Sequence, residues 1–117
     1  MNDLLAADRP IVAEMYPAFL LRSLGVTVAR KSDPAARATC GRALLRRLAR
    51  DARFELGAVR SPLLGGFGAS RAGEDPFDAT IACIGLAKLL LDDAMPEPPD
   101  AARAVEGWIL GLPSAQA

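Results

Sequence analysis

The sequence predicts an α/β fold in which two long helices pack on a small remnant of sheet. Three observations lead there. Asp33-Pro34 and Asp75-Pro76 each set a capping residue before a proline, which is how helices commonly open, and each precedes a long apolar-periodic stretch. Ile11 and Val12 form a β-branched core between Pro10 and Pro17, which reads as a short buried strand over 11–14. EGWILGL, residues 106–112, reads as a second short strand. With 117 residues the chain has room for one domain, 1–117.

The elements follow in order. NDLLAAD at the start supports a helical turn at most. After the 11–14 strand, with Glu14 at its end, AFLLRSL predicts a short helix over 18–24 that Gly25 stops. The helix opened by Asp33-Pro34 is expected to run to about Phe54. Cys40, Leu44, Leu45, Leu48 and Ala52 make its apolar face, and Arg42, Arg46, Arg50 and Arg53 recur at helical spacing on another, with Arg47 beside them. Residues 56–74 hold five glycines and one proline and read as a long mobile loop. Its GGFGAS lacks the lysine and the spacing of a phosphate-cradling loop. Asp75-Pro76 then opens a mostly buried helix to Leu91. MPEPPDAARAVEG breaks the pattern with three prolines, and the tail SAQA is expected to fray.

Composition removes several chemistries. The chain has no histidine, which excludes imidazole-based nucleophilic triads, HExxH zinc sites and an imidazole general base. Acid-base or metal chemistry must therefore use carboxylates. Cys40 and Cys83 lie in apolar helical patterns and read as small core residues of a reducing compartment, in preference to a disulfide. The longest apolar run, Ala79 to Leu91, contains Lys88 and falls short of the about 20 residues that a membrane span needs. Met1 to Leu5 lacks the basic start of a signal peptide, so the chain reads as soluble and cytoplasmic. Its formal net charge is zero, but from Lys31 to Leu56 seven basic residues face three acidic ones, and from Gly73 onward two face eight. A basic middle and an acidic end either attract each other or form two separate surfaces.

Three carboxylates are candidates for chemistry. Asp75 and Asp78 stand one turn apart at a helix start. As structure, Asp75 is the N-cap and Asp78 complements the macrodipole, together contributing about 1–2 kcal/mol. As chemistry, two anions on one rim repel unless a cation neutralises them, and a hard divalent ion such as Mg²⁺ or Mn²⁺ prefers oxygen ligands. Glu14 is the third candidate: a carboxylate at the end of a buried strand is costly unless it is exposed, paired with an arginine or bound to a cation. The arginine stripe reads as a solvated face partly paired with Asp51 and Glu55. Contact with nucleic acid phosphates is the alternative, without the interleaved aromatics of a stacking platform.

IVAEMYPAF, KSDPAAR, EDPFDATIACIG and EGWILGLP, in this order, resemble the C-terminal half of an uncharacterised family of predicted RNase H-like nucleases. Asp75-Pro-Phe-Asp78-Ala79 is also similar, more distantly, to the start of the last catalytic helix in Holliday-junction resolvases. The resemblance implies a partial RNase H-like domain with Glu14, Asp75 and Asp78 as Mg or Mn ligands. Its ancestral reaction would be phosphodiester hydrolysis, in which two metal ions activate a water for in-line attack. The family's N-terminal meander and its first-strand aspartate have no counterpart here; Asp3 and Asp8 lie in no strand pattern that could replace them. The expectation is a domain fragment, inactive alone, with one sheet edge unpaired and a complementing N-terminal half as a partner. The alternative is a non-catalytic helical interaction module, or a homodimer that covers the exposed half-core.

Overall fold

Pro17 opens the first helix because its ring presets a helical φ and its missing N–H is one that a first turn leaves unbonded. The computed structural model describes residues 14–94 and 109–110. Among these, four α-helices carry the fold: α1 (Pro17–Ser23), α2 (Pro34–Leu48), α3 (Gly57–Leu64) and α4 (Glu74–Leu91). A 3₁₀ turn, Arg71–Gly73, leads into α4. Readings that fall on 1–13, 95–108 and 111–117 lie outside the described residues: the N-terminal turn, the Ile11–Val12 strand core, the proline-rich segment and Glu106 to Trp108.

The expected α/β architecture is overturned. Extended structure among the described residues is confined to β1 (Glu14–Met15) and β2 (Ile109–Leu110), paired in parallel as Glu14 with Ile109 and Met15 with Leu110. Pro17 commits the chain to helix directly after this bridge. The helices bury their apolar faces against one another instead of against strands. Among the described residues the result is a helical globule with that one short bridge.

Local chemistry explains the helix ends. Asp33 caps α2, its side chain accepting from Ala35 N at 3.0 Å. α1 closes in a Schellman motif: Gly25, at φ +72°, donates to Arg22 O and Val26 donates to Leu21 O. Leu21 and Val26, the hydrophobic pair of that motif, both join the core. α2 stops at Leu48, six residues before the expected Phe54. Asp51 turns the chain there, accepting from the backbone N of Arg53 at 3.1 Å, a local bond that competes with helix continuation.

Packing decides the rest. On α2 the buried set is Arg37, Cys40, Gly41, Leu44, Leu45 and Leu48, a stripe of threes and fours. It meets α3, where Leu63 is fully buried and where the backbone passes so close to Gly41 that a Cβ there would strike Leu63 O. α4 meets α1 in the same way: a Cβ on Gly85 would lie 2.6 Å from Leu20 Cβ. Phe77, Ile81 and Ile84 of α4 fill the space between the two helix pairs. Each such large side chain contributes about 1.5–3 kcal/mol when buried.

Two further expectations change. The supposed loop 56–74 contains α3 and the 3₁₀ turn, because burying Leu63 outweighs the poor helix propensity of Gly57 and Pro62. Cys40 is buried as expected, but Cys83 is exposed, as is Ala79, since both lie on the outer side of α4.

Candidate functional site

The two aspartates of EDPFD occupy different environments. α4 begins at Glu74, with Gly73 as its N-cap and no side-chain cap bond, so the expected capping role of Asp75 is not found. The preceding 3₁₀ turn delivers the chain into α4 two residues early, which leaves Asp75 exposed in the first turn beside Glu74. Both acids there suit the positive end of the helix dipole. Asp78 is partly buried. Its Oδ2 accepts from Lys31 Nζ at 2.7 Å, while its Oδ1 is shut off from solvent and takes no hydrogen bond. Glu14 lies on β1, in register with Ile109.

This arrangement does not fit a divalent ion at the aspartates. The Lys31 ammonium already supplies the positive charge at Asp78, and an Mg²⁺ or Mn²⁺ approaching Oδ1 would meet it as a like charge. Asp75 sits in water, where a single carboxylate holds such an ion weakly. Among the described residues no three acidic or cysteine side chains are placed to share a metal.

Lys31 is held in turn by Arg37, the residue that sequence reasoning missed. Arg37 is fully buried on the apolar stripe of α2. Its guanidinium donates to four backbone carbonyls: Lys31 O at 2.6 Å, Gly66 O at 2.7 Å, Ser70 O at 2.6 Å and Gly68 O at 3.3 Å. A planar fork of fixed donors suits this task, and the carbonyl dipoles compensate the charge. The glycine-rich segment is thereby tied down. Phe67 sits at φ +61° with its ring edge-on to Phe77, centroids 6.3 Å apart. The signal was available: Arg37 stands three residues before Cys40 and seven before Leu44, on the core face.

A second charged group joins the end of α4 to the turn after α2. Arg53 pairs with Asp51 at 2.7 Å and Asp92 at 2.6 Å, and Lys88 lies 3.2 Å from Asp51 and 3.1 Å from Asp92. Hydrogen bonds from Arg53, then Lys88, hold the Asp51 and Asp92 carboxyls below the usual carboxylate range, and the two acids raise both cations. Lys31–Asp78 and Arg53–Asp92 each join a cation of the basic middle to a carboxylate of the acidic end.

Four arginines around α2 have no counter-ion among the described residues. Arg42, Arg46, Arg50 and Arg60 are exposed, and among the described residues no carboxylate pairs with any of them. Asp51 is engaged elsewhere, and Glu55 accepts from Gly57 N, so the partial pairing expected of the stripe reaches only Arg53. Two clefts flank α2 on this side. One, of about 640 Å³, is lined by Arg46, Arg47, Arg50 and the paired Lys88 and Asp51 beside the end of α1. Arg47 is oriented there by donating to Leu24 O at 2.8 Å. The other, of about 340 Å³, lies towards α3 with Arg42, Arg46 and Arg60 over Leu45 and Leu64. Arg46 borders both.

No family model matches the chain, and no curated protein or solved structure matches it significantly. No helix among the described residues is long and apolar enough to cross a membrane.

Proposed function

We propose that this chain is a helical interaction module whose arginine face takes the phosphate backbone of nucleic acid. The observation that carries this reading is the set of exposed arginines around α2 with no carboxylate partner among the described residues. Uncompensated cations on one face attract a polyanion and release its counter-ions on binding. Guanidinium forks match phosphate oxygens better than ammonium groups do. Among the described residues lining the two clefts, arginines supply most of the polar groups, and guanidinium contacts to phosphates carry no base sequence.

Metal-dependent phosphodiester cleavage by Glu14, Asp75 and Asp78 rests on the sequence resemblance. The Lys31–Asp78 pair and the exposure of Asp75 favour binding without catalysis.

Fluorescence anisotropy with labelled mixed-sequence DNA and RNA across a salt series tests the proposal. The expected plot of log affinity against log salt is linear, with a slope of about −0.7 to −0.9 for each phosphate engaged. Arg46→Glu should weaken binding and flatten that slope. Absence of binding at low salt, or affinity independent of both salt and Arg46, sinks the proposal.

A further inference from the structure

Resting on that reading, we infer that Arg47 is the preset phosphate anchor of the arginine face, taking one backbone phosphate end-on through Nη1 and Nη2. Among the described residues, Arg46, Arg50 and Arg60 make no side-chain hydrogen bond, and Arg42 reaches only Thr39 Oγ1 within its own helix, at 3.1 Å. Arg47 is held from outside its helix. Its Nε donates to Leu24 O at 2.8 Å, a carbonyl that no backbone N–H of the turn after α1 engages. The negative end of the α1 dipole suits the cation placed there. The guanidinium lies over Gly25, where a Cβ would strike Nη2 and stand 2.6 Å from Cζ. Gly25, at φ +72°, closes the Schellman motif, so the residue that ends α1 also leaves the arginine its place.

With Nε engaged, the donors left are the N–H groups on Nη1 and Nη2, a fork that matches two oxygens of one phosphate. Arg47 lines the larger cleft and has no carboxylate partner among the described residues. Asp51 lines the same cleft, but Arg53 at 2.7 Å and Lys88 at 3.2 Å already meet its charge. Lys88 is thereby engaged, and the cations left to a ligand in this cleft are its arginines. A side chain fixed beforehand loses less rotamer freedom on binding, so Arg47 holds a phosphate more tightly than a loose arginine of equal charge. Such a contact selects the phosphate group and is indifferent to base and sugar.

Anisotropy with a labelled mixed-sequence DNA oligonucleotide across a salt series compares Arg47→Lys with Arg46→Lys. Both variants keep the charge, so both should keep the wild-type salt slope. Arg47→Lys should bind about 10-fold more weakly, because an ammonium has no fork and no separate Nε to hold it in place. Arg46→Lys should stay within about 3-fold of wild type, since a loose guanidinium acts mainly through its charge. Circular dichroism of each variant confirms that the helices persist. A second measurement needs no variant and decides alone if Arg47→Lys does not fold. In the free wild-type protein, nuclear magnetic resonance should show the Arg47 Nε–H exchanging with water more slowly than those of Arg46 and Arg50. Undiminished binding by Arg47→Lys, equal losses in the two lysine variants, or equal exchange at the three arginines overturns the anchor and leaves the nucleic acid module standing. Absence of wild-type binding at low salt overturns both.

Discussion

Lys31 Nζ lies 2.7 Å from Asp78 Oδ2, across a sequence separation of 47 residues. The pair closes the start of α2 onto the first turns of α4, and both side chains keep contact with water, at 43% and 27% exposure. Pairs of that kind contribute little, about 0–1 kcal/mol. A double-mutant cycle with Lys31→Ala and Asp78→Ala, read by urea unfolding, should return a coupling energy below about 1 kcal/mol. Mn²⁺ titration monitored by calorimetry should give the same heats for wild type and Asp78→Ala. A site lost in the variant would restore the metal-ligand role of Asp78.

Arg37 is the fully buried charged side chain among the described residues. Arg37→Met should destabilise the fold by about 3 kcal/mol or more, since carbonyls are left buried without a donor. Arg37→Lys should recover only part of the loss, because one ammonium cannot span four carbonyls. Hydrogen exchange at residues 65–70 reports the same event locally: these amides should exchange faster in both variants.

Gly85 sets how closely α1 and α4 approach. Gly85→Val should cost roughly 1–3 kcal/mol by overpacking against Leu20. Combining it with Leu20→Ala tests the cause. The double variant should be more stable than the sum of the single effects, because the smaller residue makes room for the valine.

Stability should fall in acid through Asp51 and Asp92. Their folded carboxyls titrate below the usual value, so the stabilisation is complete above the unfolded value of about 3.9. It is lost as pH falls through the folded values. Arg53 and Lys88 are shifted up, so their share is held through neutral pH and declines only above the unfolded lysine value near 10.4. Urea midpoints between pH 2 and 7 should show this acid limb, and Asp51→Asn should reduce it. An unchanged limb in the variant would place the acid sensitivity elsewhere.

The cysteines should separate under a thiol reagent. Cys83 is exposed, whereas Cys40 is buried and its thiol is pushed up by that burial, which lowers the fraction of reactive thiolate. One thiol per chain should react at once in the folded protein and the second only on unfolding. Rapid reaction of both would contradict the packing of Cys40 against the core.

Much of the local structure could be read directly from the residues. Asp33-Pro34 opens α2, Gly25 ends α1, and the stripe through Cys40, Leu44 and Leu48 faces inward, because a cap or a turn is settled within a few residues of chain. The missing histidine restricts the chemistry by composition alone. The α/β expectation failed for a related reason: strand propensity at 11–14 and 106–112 says nothing about how many strands will meet. A bridge of two residues a side is all that pairs among the described positions.

The features that define the candidate sites depend on distance in sequence. Arg37 gathers carbonyls 29 to 33 residues away, Asp78 finds its cation 47 residues back, and Arg53 reaches Asp92 across 39. Burial of Leu63 against α2 makes a helix of a segment whose glycines and proline argue for a loop. Composition therefore sets which charges exist, and short-range periodicity sets which helix face carries them. Tertiary packing alone decides which of those charges are neutralised, and so which arginines around α2 stay available to a ligand.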